Sequence, residues 1–539
     1  MMRRLRLIQS FELRRDRPLP VWMIFPAIFV ALYASHYTLM RLPYYWDEAG
    51  YYIPAAWDFF RTGSLIPMTT LSNAHPPLPS IYLALWWKLA GFEPEVTREA
   101  VLMVASLGLV GVWRLALRVA GSAAVAFWTV LLTALYPVWF VQSTLAHADM
   151  FAAACTVWGL VYALPDRHRK SWVAALCFTA AALCKETSIA VPLTLAAVNA
   201  VASIRAQWPV RVRLWREAAW FAAAPAPLAG WYAWHYAKTG FVFGNPEFLR
   251  YNAEATLTPV RIVAAFGYRL LHLTAHMNLF VPVLMMMAAL MLEPRRDVRG
   301  RERAAISVQT LWRIFFVLLA NAIAFSVLGG ALLTRYLLPM YPLVLVVAVS
   351  TFYRRVPYWQ GLAAFSAAAF GIALFVNPPY RFAPEDNLQY AHVIRMHMAG
   401  IAQLNQRYPD STVLSAWPVT DELTRPELGY LKRPYAVYRL EDFTSAQIDR
   451  AAAEPGGYST ALVFSTKYDP PSLPFSLGTR GEALDERYFD LHHDMAPEAI
   501  ARRLGGDLVW TREDRGMWIA LIRFNRQFEA MAEMPRPGQ

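Results

Sequence analysis

Long apolar runs separated by short basic clusters dominate the first 376 residues of this 539-residue chain. A helix needs about 20 mostly apolar residues to cross a bilayer. The runs lie at about 21–40, 99–119, 123–141, 150–164, 171–184, 188–204, 218–237, 277–292, 312–331, 336–353 and 358–376. The pattern predicts an α-helical polytopic membrane domain over residues 1–376, with about eleven transmembrane helices.

After residue 376 the apolar runs become short and alternate with turn residues. The segments STVLSAWP, STALVFSTKY and DLVWTREDRGMWIALIRF have the composition of strands. The segments EDFTSAQIDRAAAE and APEAIARRLG have the periodicity and caps of helices. We therefore predict one soluble α/β domain over residues 377–539, a length within the usual size range of a domain.

The basic residues predict the orientation of the chain. With the N-terminus inside, the inner segments hold 23 Lys and Arg residues and the outer loops hold 10. Cytoplasmic segments are enriched in these residues, so the N-terminus is expected in the cytoplasm. An odd number of spans then places the C-terminal domain outside. The basic start has no small-residue cleavage site, which indicates a retained signal-anchor in the inner (plasma) membrane.

One apolar segment, LPSIYLALWWKLAG at 78–91, is too short for a full crossing and contains Lys88. A helix in the plane of the interface accounts for both properties. The preceding segment YYIPAAWDFFRTG has a similar composition. The first outer loop, about 41–98, is therefore expected to hold two interfacial helices.

Composition excludes several other classes of protein. The chain is 57% hydrophobic and 17% charged, below the roughly one quarter charged that is usual for soluble domains. Its net charge of +12 does not indicate nucleic-acid binding, because the basic residues flank the predicted spans. The three cysteines have no zinc-like spacing and imply no disulfide framework.

Candidate chemistry begins directly after the first predicted span, in YYWDEAGYY. Here Asp47 and Glu48 lie side by side among aromatic residues. A carboxylate in such a setting can hold or abstract a proton. The alternative is an aromatic belt with two solvated acids at a helix end.

Two further motifs fall on the same predicted face of the membrane. NAHPPLP places His75 before paired prolines, which set the entry angle of the interfacial helix. HADM places Asp149 at the start of a later span. A solvent-exposed histidine and an acid that favours the helix dipole are the alternatives.

Cations occur at the same face. Lys185 lies in CKET between two spans, and Arg335 and Tyr336 lie in LTRYLLP at the outer end of another. Each cation can bind a phosphate, and each can instead be an interfacial anchor. Acids and bases from four loops on one face fit a lipid-phosphate-linked substrate, which needs cations for its phosphate and a carboxylate for proton removal.

Together, WDEAGYY, HPPLPSIYLALWWKLAG, HADM and TRYLLPMYP resemble the GT-C glycosyltransferases. The protein O-mannosyltransferases and the lipid A aminoarabinose transferases are the most similar members, and the resemblance covers about residues 20–350. It implies a polyprenyl-phosphate sugar donor, an outward-facing cavity and inversion at the anomeric carbon in one displacement. The C-terminal domain carries no such resemblance.

The resemblance also implies roles for the acidic residues. Asp47 matches the first-loop general base. Glu48 is expected to position the acceptor or to tune its neighbour. Asp149 matches a second-loop acid that shapes the site or contacts the acceptor.

The cations and their neighbours are implied to bind the donor phosphate. Lys185 and Arg335 are the main candidates, Tyr336 accompanies them, and His75 is expected to add a hydrogen bond. Related oligosaccharyltransferases use a divalent metal, but two or three acidic ligands are too few here to argue for one. No cofactor is therefore expected.

The sequence leaves other functions open. A transporter or lipid flippase with an outer domain is the main alternative, although its ionisable residues would be expected near the bilayer midplane. A third interpretation is a receptor that is anchored by its spans, but it leaves the loop motifs unexplained. The donor sugar is not readable, and the acceptor can be a glycan, a lipid or a protein.

Overall fold

Apolar helices form the first part of the structure. The computed structural model describes residues 20–72, 75–164, 169–244, 256–297, 300–470, 479–489 and 493–524, with positions 246, 250 and 491. The helices are α1 (Val21–His36), α2 (Ile53–Thr62), α3 (Leu78–Ala90), α4 (Pro94–Ala120), α5 (Ala123–Leu135), α6 (Pro137–Gln142), α7 (Ala148–Ala163), α8 (Ser171–Cys184), α9 (Ala190–Ile204), α10 (Val210–Ala223), α11 (Ala226–Thr239), α12 (Pro259–Thr274), α13 (Phe280–Leu290), α14 (Val308–Val327), α15 (Tyr341–Arg355) and α16 (Gln360–Phe375). The predicted signal-anchor before residue 20, and Asn73 and Ala74 of the NAHPPLP motif, lie outside the described residues.

Within the described ranges, four helical stretches are long and apolar enough to cross a membrane. They are Pro94–Ala120, Glu186–Ile204, Val308–Val327 and Thr334–Arg355. A fifth arises if Pro259–Asn278 and Phe280–Leu290, which are bent by 99°, form one span. Shorter apolar helices accompany them. The chain is a helical membrane protein, and the number of eleven crossings stays a prediction.

Three predicted spans differ from the observed helices. The predicted span 123–141 is divided at Tyr136 into α5 and α6. The predicted span 218–237 covers a break, because α10 ends at Ala223 and α11 begins at Ala226, just after Pro225. The predicted span 277–292 is only the second arm of the bent pair. The first arm is α12, whose Arg261 and Arg269 suggested an outer loop. Backbone carbonyls of neighbouring segments accept hydrogen bonds from both buried arginines, so these charges are tolerated inside a helix.

The first loop contains the two helices expected at the interface, α2 and α3. Helix α3 has 13 residues, which at 1.5 Å per residue gives about 20 Å, well short of the roughly 30 Å hydrocarbon core. It begins after Pro77 and ends at Gly91, where φ is 91°. Trp57 of α2 packs against Trp87 of α3 and against Phe92. The two helices therefore form one packed unit, consistent with a loop that does not cross.

The C-terminal part is a small α/β domain. Its elements are α17 (Gln389–Arg407), β1 (Thr412–Ala416), α18 (Val419–Thr424), β2 (Ala436–Leu440), α19 (Ser445–Ala453), β3 (Thr460–Phe464), α20 (Thr479–Phe489), α21 (Pro497–Leu504), β4 (Asp507–Asp514) and β5 (Met517–Arg523). The sheet order is β2-β1-β3-β5-β4. The first three strands are parallel, and β5 runs antiparallel to β3 and β4. Helix α17 covers β4 and β5, and Gly400 allows its backbone to approach Ile519 closely.

The last predicted strand, DLVWTREDRGMWIALIRF, is a hairpin of two strands. Its turn consists of Arg515 and Gly516, whose φ values are 52° and 77°. A two-residue turn with both φ values positive matches the twist of paired strands. The Arg-Gly pair within an otherwise strand-like segment is the signal for this turn.

The α/β domain shares a core with the first loop. Tyr45, Phe140 and Leu145 from the helical part belong to the same buried apolar cluster as the sheet. The backbone N–H of Tyr44 donates to the carbonyl of Leu428 at 3.2 Å. The hydroxyl of Tyr430 donates to the carbonyl of Tyr44 at 3.0 Å. The segment before Asp47 is thus held by the C-terminal domain.

Cysteine labelling tests whether α3 crosses the membrane. In a variant without the three native cysteines, single cysteines replace Leu71 and Glu93, which flank α3 and are exposed. A membrane-impermeant maleimide added to intact cells should label both, because α3 is too short to cross. Tyr358→Cys, in the exposed turn after α15, is the control and should react only after permeabilisation. Labelling at 71 with protection at 93 would show that α3 spans.

Candidate active site

A buried guanidinium lies where three distant segments meet. Arg335, in the helical turn Thr334–Met340, is 2% exposed. Its side chain contacts the carboxylates of Asp47, Asp149 and Glu385, and Nε lies 3.3 Å from Oδ2 of Asp149. A buried charge is stable only when it is paired and hydrogen-bonded. Arg335 therefore fixes the position of three acids that come from separate parts of the chain.

Lys185 is the second cation of the site. It directly follows α8, and its Nζ donates to Oδ1 of Asp149 at 2.5 Å. The same Nζ lies 4.0 Å from the centre of the Tyr336 ring. A cation over an aromatic face is attracted by the electrons of the ring. Asp149 is thus shared by Lys185 and Arg335.

A cavity, here named the charged cavity, opens beside these groups. Its walls include Asp149, Lys185, Arg335 and Tyr336, together with apolar side chains such as Phe325. Lysine and arginine bind phosphate oxygens through charge-assisted hydrogen bonds. Cationic and apolar walls side by side fit a phosphate that carries an apolar chain.

Asp47 is the most accessible acid on Arg335. Its side chain is 21% exposed, compared with 2% for Asp149 and 5% for Glu385. Asp47 precedes the helical turn Glu48–Tyr52. A general base must reach the proton that it abstracts. By this criterion Asp47 is the candidate among the three acids.

Glu48 has entirely different neighbours from Asp47. Its carboxylate is fully buried and accepts hydrogen bonds from the backbone N–H groups of Tyr45 at 2.9 Å and Ala146 at 2.6 Å. Arg98, also fully buried, lies 3.4 Å away and donates to carbonyl oxygens in both loops. The expected contact of Glu48 with an acceptor has no support in this geometry. Its carboxylate instead joins the Asp47 loop to the Asp149 loop.

His75 also lies apart from the cations. Its Nδ1 is 2.9 Å from Oε2 of Glu186, and its ring stacks on Tyr52 with centres 5.7 Å apart. It lines a second cavity whose described walls include neither Lys185 nor Arg335. The geometry therefore gives no support to the expected hydrogen bond to the donor phosphate.

Glu385, in the segment Pro384–Asp386 after the last apolar helix, was not foreseen from the sequence. Burial raises its pKa to about 8, although the nearby Arg335 acts in the opposite direction. Its neighbour Asp386 accepts a hydrogen bond from Thr334 and lies 3.0 Å from Nε2 of His276. In the sequence, the only indication of a site residue here was the acidic pair in PED, just after an apolar run.

The described residues contain no group of three or more His, Cys, Asp or Glu side chains arranged to hold a metal ion. The acids of the site are paired with Arg335 and Lys185. The arrangement can therefore bind an anion and accept a proton with its own side chains.

Comparison with known proteins identifies the fold. Residues 74–231 match the family of dolichyl-phosphate-mannose-protein mannosyltransferases. The crystal structure of ArnT from Cupriavidus metallidurans in the apo state is 15% identical, with a TM-score of 0.51 over 92% of this chain and 97% of that one. The chain has the GT-C fold. The ArnT structure bound to undecaprenyl phosphate gives a TM-score of 0.52 at 15% identity, over 93% and 97% of the two chains. No curated protein matches the sequence.

The predicted resemblance to GT-C proteins is thereby confirmed. The family match includes His75, Asp149 and Lys185 but leaves out Asp47 and Arg335. In the GT-C fold of this chain, these two residues reach the site through the first loop and through the turn before α15. The tertiary structure thus completes a site of which the family match covers only part.

The buried pair of Arg98 and Glu48 should be essential for stability. Arg98→Met leaves the Glu48 carboxylate buried without its cation, which costs about 3–5 kcal/mol in comparable pairs. The measurement is the thermal unfolding midpoint in detergent, and adding Glu48→Gln should restore part of the loss. Arg41→Met is the control, since Arg41 forms an exposed pair with Glu95 and its loss should leave Tm unchanged. Equal effects of the two substitutions would contradict the structural role.

Glu385 should make stability depend on pH. Its pKa is raised from an ordinary value near 4.5 to about 8, so the folded protein retains a proton that the unfolded chain loses. The stabilisation is complete below about pH 4.5 and is lost as pH rises to about 8. The difference in Tm between wild type and Glu385→Gln should therefore fall from pH 5 to pH 8 and then level off.

The control for this experiment is Glu441→Gln, at an exposed position of the α/β domain. It should give a constant difference in Tm over the same range. The groups that face Glu385 are Arg335, Asp47, Asp149 and Asp386, with His147 Nδ1 at 3.9 Å. Parallel curves for wild type and Glu385→Gln would show that Arg335 keeps Glu385 ionised throughout.

Proposed function

We propose that this protein is an inverting glycosyltransferase that moves a sugar from a polyprenyl-phosphate donor to an acceptor at the outer face of the inner membrane. The observation that carries the proposal is the pairing of an accessible acid, Asp47, with Arg335 at the charged cavity. The similar ArnT structure with bound undecaprenyl phosphate supports a lipid-phosphate donor. The excess of basic residues in the inner segments supports the outer location of the site.

Donor binding is assigned to Lys185 and Arg335. Both side chains are now neutralised by carboxylates, chiefly Asp149 and Asp47. An incoming phosphate offers competing acceptor oxygens to the same N–H groups. As the bond between the anomeric carbon and the phosphate oxygen breaks, negative charge grows on the phosphate. The two fixed cations stabilise that charge and lower the barrier.

Asp47 is assigned as the base. The acceptor oxygen or nitrogen attacks the anomeric carbon from the side opposite the phosphate, and the phosphate leaves with the bonding electron pair. The acceptor proton passes to the carboxylate of Asp47. Arg335 connects the two events, because a phosphate that takes its N–H groups releases Asp47 from its ion pair. Donor binding thereby prepares the base.

The remaining predicted residues receive supporting roles in this proposal. Glu48 acts through the loop backbone and Arg98, and it does not touch the acceptor. Tyr336 holds Lys185 in place through its ring. Glu385 adds a third acid to Arg335 and keeps the guanidinium oriented. The α/β domain supports the site through its hydrogen bonds to Tyr44, three residues before Asp47.

Asp47→Asn tests the base. The amide keeps the size of the carboxylate but cannot accept the proton, so turnover should fall at least about a hundredfold. The assay supplies purified protein with radiolabelled polyprenyl-phosphate sugars and acceptor fractions, and follows release of free polyprenyl phosphate. Donor binding should be retained, and if anything strengthened, because the phosphate no longer competes with a carboxylate at position 47 for Arg335. Near-normal turnover in this variant would overturn the mechanism. If the protein is a flippase instead, the wild type will bind the donor but release no free polyprenyl phosphate.

Lys185→Ala and Arg335→Ala should weaken donor binding, in contrast to Asp47→Asn. Each removes a cation from the charged cavity, and a charge-assisted hydrogen bond is worth roughly 1.5–3 kcal/mol, so donor affinity should fall about tenfold or more. Binding of undecaprenyl phosphate to the purified protein is the measurement. Lys170→Ala is the matched control, since Lys170 lies exposed at the opposite end of α8. Unchanged affinity in both site variants would remove the proposed phosphate site.

A further inference from the structure

A second cavity, here named the aromatic cavity, lies between the first-loop turn and the start of α3. Tyr51, Tyr52, Phe59 and Trp231 form much of its wall. Its described lining contains no Lys, Arg, Asp or Glu. This contrasts with the charged cavity, which is built around two cations. A ligand of the aromatic cavity is therefore uncharged.

The polar side chains that line the aromatic cavity are hydrogen-bonding groups. They are the hydroxyls of three serines and two tyrosines and the imidazole of His75, whose Nδ1 lies 2.9 Å from Glu186 outside the lining. Tyr51 is 38% exposed, so much of its ring is accessible. The face of an aromatic ring carries negative charge density and attracts the C–H groups on the apolar face of a sugar. Aromatic faces with neutral hydrogen-bonding groups are the chemistry of a saccharide site.

The aromatic cavity adjoins the charged cavity. Ala148 lines the first, and its neighbour Asp149 lines the second. Tyr52 lies between them, with its ring centre 5.7 Å from the rings of both His75 and His147. A sugar in the aromatic cavity would therefore lie beside a donor in the charged cavity.

The α/β domain supports the accessible ring of this cavity. Trp417 directly follows β1, and its ring centre is 6.3 Å from that of Tyr51 and 4.9 Å from that of Trp46. A Cβ atom on Gly50 would lie 3.0 Å from Nε1 of Trp417, so the packing is tight. Loops at the carboxyl ends of parallel strands are the usual ligand-binding edge of an α/β sheet. Here that edge faces the first loop.

We propose that the aromatic cavity binds the uncharged sugar ring of the acceptor, with Tyr51 as the stacking platform and Trp417 as its support. The assignment to an acceptor rests on the proposed glycosyltransferase function. The assignment to a saccharide does not, because it follows from the lining alone. The two parts are therefore tested separately.

Saturation-transfer NMR of the full chain, in a detergent without a sugar headgroup, measures saccharide binding directly. Maltotriose is the neutral probe and glucose 1-phosphate is the anionic one. Maltotriose should receive the stronger transfer. Tyr51→Leu keeps apolar volume but removes the ring, and should weaken maltotriose binding about fivefold. Tyr51→Phe should retain it, as should Tyr358→Ala, a control at a highly exposed tyrosine distant in sequence.

Trp417→Ala should also weaken maltotriose binding, because Tyr51 loses its support. Unchanged binding in Tyr51→Leu, or stronger transfer to glucose 1-phosphate, would overturn the saccharide site. Saturating undecaprenyl phosphate should leave maltotriose bound. Displacement by a polyprenyl-phosphate sugar but not by undecaprenyl phosphate would assign the cavity to the sugar of the donor and overturn the acceptor assignment. The two proposals can also fail separately. If maltotriose binds with these variant effects but no polyprenyl phosphate is released in the transferase assay, the transferase function is refuted and the saccharide site is upheld.

Discussion

The burial of Arg335 is the constraint on which the site depends. A guanidinium removed from water is unstable unless carboxylates and hydrogen bonds replace the lost solvent. Those carboxylates come from the first loop, from the start of α7 and from the segment after α16. Satisfying one charge therefore brings three remote parts of the chain together. In the proposed reaction, the same charge meets a phosphate and releases a base.

A second buried arginine supports the same loops from behind. Arg98 donates to carbonyl oxygens of Leu42, Pro43 and Thr144, and it pairs with Glu48. These contacts join the segment before Asp47 to the segment before Asp149. The adjacent acids Asp47 and Glu48 thus differ in their surroundings, since Asp47 is accessible beside Arg335 and Glu48 is buried and holds the loop. Burial, rather than residue type, makes that division.

The α/β domain is integrated with the membrane part. Tyr430 and Leu428 hydrogen-bond to the backbone of Tyr44, and Trp417 packs against Gly50. Glu385 joins the site from the segment just before α17. In the proposed reaction, the membrane part supplies the phosphate cations and the domain shapes the approach of the acceptor. In that proposal, the anionic lipid and the uncharged sugar bind on either side of Tyr52.

The sequence by itself determined the membrane class, and it predicted an α/β domain from residue 377 and a candidate set of acids and cations in the loop motifs. Hydrophobic periodicity and residue type are local properties, so these features are readable along the chain. The tertiary structure alone decided that Glu48 is buried, that His75 lies apart from the cations and that Glu385 joins Arg335. Each depends on contacts between residues that are far apart in sequence. The hairpin at Arg515 and the break before α11 were also missed, because turn chemistry within apolar runs gives only a weak signal.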